Sequence, residues 1–164
     1  MIRSLVLLAV TLCAQCSPVV GIRDVLPEQI AGTYLSDITA EDIAQRCGFD
    51  EACEPTEWYS SYVASDPAID RIIVVRWGGD AETMADPATP TWDEAARLTA
   101  GLPCGPAVET ETVAGRYLVI GRCAGQTRYV VATPSAIVMW DSSEPNDAWA
   151  RELARVMREP TPLP

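Results

Sequence analysis

The chain has 164 residues, long enough for one domain with a real hydrophobic core. Its twelve basic residues are all Arg, with no Lys and no His, which excludes Ser-His-Asp and Cys-His catalysis, His-ligated zinc and the usual histidine pH switch. Against them stand 23 acidic residues and a net charge of −11, which removes any electrostatic drive onto phosphate backbones or anionic lipid. Nucleic acid is therefore excluded as a partner.

Arg3 followed by an apolar run over residues 5–14 reads as a secretory signal peptide. The run is shorter than the roughly 20 residues of a membrane span. Cleavage is expected before residue 21, so residues 1–20 form the leader, residues 21–158 one exported domain and residues 159–164 a Pro-rich tail. Cys16 is the candidate for a lipid anchor, but Gln15 and Cys13 stand where a lipobox needs a small and an aliphatic residue. Plain secretion, or residence in the periplasm or cell envelope, is the expectation.

Residues 20–30 form a mixed segment with a short helix from Pro27, and the first full helix is expected from Thr39 to a Gly48 stop. Residues 57–64 alternate partly, as a half-exposed strand does, and residues 71–77 (RIIVVRW) are almost continuously apolar, as in a central strand. A long loop spans residues 78–90. Thr91 and Glu94 make a capping box that opens a helix running to about Ala100, with Trp92, Ala95, Ala96 and Thr99 facing inward. Residues 108–113, 117–120, 129–132 and 136–140 then read as an antiparallel meander. A last helix follows from about Pro145 to Arg158, its stripe Trp149, Leu153, Val156 and Met157.

With export, four cysteines remain: Cys47, Cys53, Cys104 and Cys123, an even number that implies two disulfides. If Ala114-Gly115 is a two-residue hairpin turn, facing residues have numbers summing to 229, which sets Cys123 opposite Pro106 and two residues from Cys104. The expected pairs are Cys104–Cys123 and Cys47–Cys53. No CxxC pair remains outside the leader to make a redox or metal site.

Other constellations have plain structural readings. Asp141-Ser142-Ser143 is similar to the opening of the DxSxS metal site of von Willebrand A domains, but Pro145 stands at its last serine and helix capping by residues 141–147 accounts for it. Asp66 with Asp70, and Glu109 with Glu111, are carboxylate pairs with no sign of the cleft a glycosidase needs. Trp58 and Tyr62 are read as packing under a helix, the alternative being a binding surface made by Trp58, Tyr59 and Tyr62.

The expectation is an α+β domain, with an antiparallel sheet of five to six strands, two to three helices mainly on one face, and the order α-β-β-α-β-β-β-β-α. Functionally it is a non-enzymatic binding or interaction module for an unidentified protein or small ligand, with no cofactor and no metal site. The alternatives are a secreted structural or inhibitory protein, and a hydrolase working through carboxylates alone.

Overall fold

The computed structural model describes residues 20–38, 59–76, 92–101, 105 and 107–161. A single 3-10 turn (Ile22–Asp24) leads into strands β1 (Gln29–Ile30), β2 (Thr33–Asp37), β3 (Tyr59–Ala64) and β4 (Ile72–Arg76). Helix α1 (Trp92–Gly101) separates these from β5 (Val108–Val113), β6 (Arg116–Cys123), β7 (Gln126–Ala132) and β8 (Ala136–Ser142), and helix α2 (Asp147–Val156) follows. The eight strands form one sheet in the order β1-β2-β3-β4-β8-β7-β6-β5, with every neighbouring pair antiparallel. Two four-strand meanders are thus joined by pairing of β4 with β8, for example Val74 opposite Val138.

This corrects the expected class. The protein is mostly β, with eight strands instead of five or six, and its two described helices lie on opposite faces of the sheet. On one face, Trp149, Ala150, Leu153, Ala154 and Met157 of α2 pack with Leu118, Ile120, Tyr129, Val131, Val138 and Trp140. On the other, Ala96 and Ala100 of α1 pack with Val119, Val130, Ala132 and Ile137. The reason is visible in the strands: β7 is buried at each of Tyr129, Val130, Val131 and Ala132, so successive side chains enter two different cores. A sheet apolar on both faces needs cover on both.

The hairpin of β5 and β6 follows the expected register. Val113 faces Arg116 and Val108 faces Gly121, around a turn in which Ala114 and Gly115 have φ of 50° and 81°. Two successive left-handed residues make the tight turn whose twist matches paired strands. The same device closes the first hairpin, where Ala31 and Gly32 have φ of 46° and 90° and Ile30 faces Thr33. That hairpin stands where the sequence suggested a mixed segment with a short helix from Pro27. The expected helix from Thr39 to Gly48, and the loop over residues 78–90, lie outside the described residues.

Candidate functional site

The aromatic and charged side chains around α2 fasten the helix to the sheet. Tyr129 and Trp140 stack with centroids 5.1 Å apart, and Trp149 meets Trp140 edge-on at 5.3 Å. The Tyr129 hydroxyl donates to Asp147 Oδ1 at 2.7 Å and accepts from Asn146 N at 2.6 Å. Burial, with the bond to Asp147 adding to it, pushes the Tyr129 phenol up to about 12. Arg122 bridges Glu109 at 2.7 Å and Asp147 at 2.8 Å, and these bonds hold both carboxyls below their ordinary values. Arg151 donates to Glu111 at 2.7 Å. Glu109 and Glu111 share one face of β5, and each is spent on an arginine beside α2.

Asp70 and Asp141 are brought together at the β4 and β8 ends, where Asp70 N donates to Asp141 O at 2.9 Å. They line a recess of about 210 Å³ with Arg71, Ile73, Arg128 and Met139. Arg128 sits directly opposite Asp141 and donates from Nε and Nη2 to its two carboxylate oxygens at 2.7 and 2.6 Å. This bidentate pair raises the Arg128 value, through the bonds themselves, and leaves both Asp141 oxygens occupied. The capping expectation is therefore corrected. Asn146 is the N-cap of α2 and makes no side-chain cap bond, while Asp141 belongs to the sheet. Asp66 accepts from Ala68 N at 2.9 Å and shapes a turn away from the recess.

A larger concavity lies towards the β1–β2 side of the sheet. A cleft of about 840 Å³ is bounded by residues 23–28, by β2 from Tyr34 to Asp37, by Tyr62 and by Arg158. Its volume falls in the range of about 300–1,000 Å³ typical of small-ligand sites. Three local features build it. Tyr62, buried on β3, donates its hydroxyl to Arg23 O at 2.6 Å and pins the 3-10 turn to the sheet. Asp24 Oδ2 accepts from Gly21 N at 3.1 Å, which closes that turn. The chain end then runs back alongside: Arg158 N donates to Val25 O at 2.8 Å and Thr161 N to Val20 O at 2.9 Å, setting Arg158 next to the turn.

The cleft's charges are mixed, with Arg23 and Arg158 facing a space shared with Asp24, Glu28 and Asp37. The side chains of Arg23, Arg158, Glu28 and Asp37 have no hydrogen bond or ion pair within 4 Å among the described residues. Tyr34, 63% exposed, stands on the rim as the one large apolar side chain exposed among the described residues. Leu26 and Leu35 form apolar wall below it. Burial, chiefly, holds the Tyr62 phenol above its ordinary value, and the charges of Asp37 and Asp24 add to this.

The sequence did not single out this cleft. Its residues are spread over the first hairpin, β3 and the chain end, and only Tyr62 was noticed, as one of an aromatic group. Tyr62 packs inward under the 3-10 turn; Trp58 and the Tyr59 side chain lie outside the description. Of the four expected disulfide cysteines, Cys123 ends β6 and is disulfide-bonded. Cys47, Cys53 and Cys104 lie outside the described residues, as do Cys16 and all of the expected leader except Val20. Among the described residues no three His, Cys, Asp or Glu converge as metal ligands, and no helix is long and apolar enough to cross a membrane. No protein-family model matches the chain, and neither a curated protein nor a solved structure is significantly similar to it.

Proposed function

We propose that this chain is an exported, non-enzymatic binding module and that the cleft beside β2 receives its ligand. The observation that carries the reading is the set of charges in that cleft. Arg23, Arg158, Glu28 and Asp37 line a concave wall built on strands, and none is spent on an internal ion pair among the described residues. Elsewhere the arginines near carboxylates pair with them: Arg122, Arg128, Arg151 and Arg155 all do. Groups left unpaired around a concave apolar wall suit recognition of a polar ligand that also buries some apolar surface. A hydrolase at Asp70 and Asp141 is the weaker reading, because a base needs a free oxygen and Arg128 holds both of those on Asp141.

A fragment screen by ligand-observed NMR tests the proposal, with hits mapped on ¹H–¹⁵N spectra of the exported protein. Hits should shift resonances of residues 23–28, 34–37 and 158, and Arg158→Glu should abolish them. Hits indifferent to that substitution, or turnover of a hydrolase substrate lost in Asp141→Asn, would reject the reading.

A further inference from the structure

The cleft owes its existence to an interrupted ladder. β2 meets β3 with Ser36 facing Val63, while Ser65 N donates to Tyr34 O at 2.8 Å and Ile38 N to Ser61 O at 3.3 Å. Antiparallel strands direct the backbone groups of alternate residues at a given neighbour. Tyr34, Ser36 and Ile38 therefore face β3, and Leu35 and Asp37 turn their N–H and C=O groups the other way, to the cleft side. Leu35 N is used there by Glu28 O at 2.8 Å. Continuing the β1–β2 register, Gln29 with Tyr34 and Ile30 with Thr33, would set Leu26 opposite Asp37. It does not pair. Pro27 would fall opposite Ser36, and its fixed φ of about −65° is far from the antiparallel value of about −140°, so the chain leaves the ladder there for the 3-10 turn. Among the described residues, Asp37 is left with an unbonded backbone N–H and C=O at the sheet edge, inside a cleft where two guanidiniums are unpaired.

Building on the cleft reading, we propose that its ligand is a short extended peptide ending in a free carboxylate. The peptide lies along β2 as an added strand and exchanges backbone hydrogen bonds with Asp37, supplying what Leu26 does not. Its terminal carboxylate is taken by Arg23 and Arg158, whose planar donor forks suit that group. A basic side chain upstream is received by Glu28 and Asp37, and the protein's net charge of −11 favours its approach. The short length of free edge means few backbone bonds, so the carboxylate contributes much of the affinity.

The test uses fluorescein-labelled Thr-Val-Lys-Val-Ala as the free acid and as its C-terminal amide, read by fluorescence anisotropy. The amide should bind at least about tenfold more weakly, the loss of one charge-assisted contact. Arg158→Gln and Arg23→Gln should each weaken the acid and bring it close to the amide. Asp37→Pro, which removes the edge N–H, should weaken both forms alike; thermal melts check that each variant folds, and the arginine variants carry the test if Asp37→Pro does not. Equal binding of acid and amide, or no anisotropy change with either at millimolar protein, overturns the inference. If non-peptide fragments shift the cleft resonances while the peptide does not, the binding-module reading stands and this inference falls. If nothing shifts them, both fall.

Discussion

Trp149 Nε1 donates to Ile30 O at 3.1 Å, joining the last helix to the first hairpin across 119 residues of sequence. Both residues are buried, at 4% and 1% exposure, so water cannot replace the bond if it is lost. Through it, the hairpin that walls the cleft is held by the helix that covers the sheet.

Trp149→Phe keeps most of the apolar contact and leaves the Ile30 carbonyl without its donor. The expected cost is about 1–3 kcal/mol, the desolvation penalty of a buried unsatisfied acceptor. Thermal unfolding followed by far-UV circular dichroism should show Tm lowered by several degrees. An unchanged Tm would mean the hairpin is held without this bond.

The Arg128–Asp141 pair joins β7 to β8 and is about three-quarters buried on each side. A double-mutant cycle with Arg128→Ala and Asp141→Ala should give a favourable coupling of about 1 kcal/mol, more than an exposed pair because both oxygens are engaged. The same variants should leave binding in the cleft unaltered, since the recess at the β4–β8 seam shares no lining residue with the cleft. Urea midpoints measure the first expectation, and peptide anisotropy the second.

Asp147 is held below its ordinary value in the folded protein, first by Arg122 and then by Tyr129. A carboxyl lowered on folding stabilises above its unfolded value, near 4, and that contribution is lost as pH falls through the folded value. Urea midpoints should therefore drop below about pH 4, and Asp147→Asn should flatten that part of the profile. Tyr129 acts at the other end. Its value of about 12 lies above that of an unfolded tyrosine, so its contribution is full below about pH 10 and fades as pH rises towards 12. Tyr129→Phe should remove that alkaline fall.

Non-reducing peptide mapping of protein exported by its native host should recover Cys104–Cys123 and Cys47–Cys53 peptides. A Cys47–Cys104 or Cys53–Cys123 peptide would reject this framework. N-terminal sequencing of the same material should find a start between Gln15 and Ile22.

The second meander was legible because its information is local. Ala114-Gly115 announces a two-residue turn, and the apolar runs before and after it can pair in only one register that keeps their faces together. The ends of β3, β4, α1 and α2 were read to within a few residues for the same reason, from periodicity and caps. The first hairpin was missed although Ala31-Gly32 is the same signal, because its strands bury only Ile30 and Leu35 and so show no alternation to read. The continuous burial of residues 129–132 did carry a message about two covered faces, which a meander covered on one side could not satisfy. What no local pattern contains is the pairing of β4 with β8 and the bond from Trp149 to Ile30. Both depend on which surfaces meet once both cores form. The cleft depends on them too: Arg23, Asp37, Tyr62 and Arg158 are distant in sequence, and each is unremarkable there. Only the folded chain sets them around one space, because Pro27 ends a ladder that β2 could otherwise have continued.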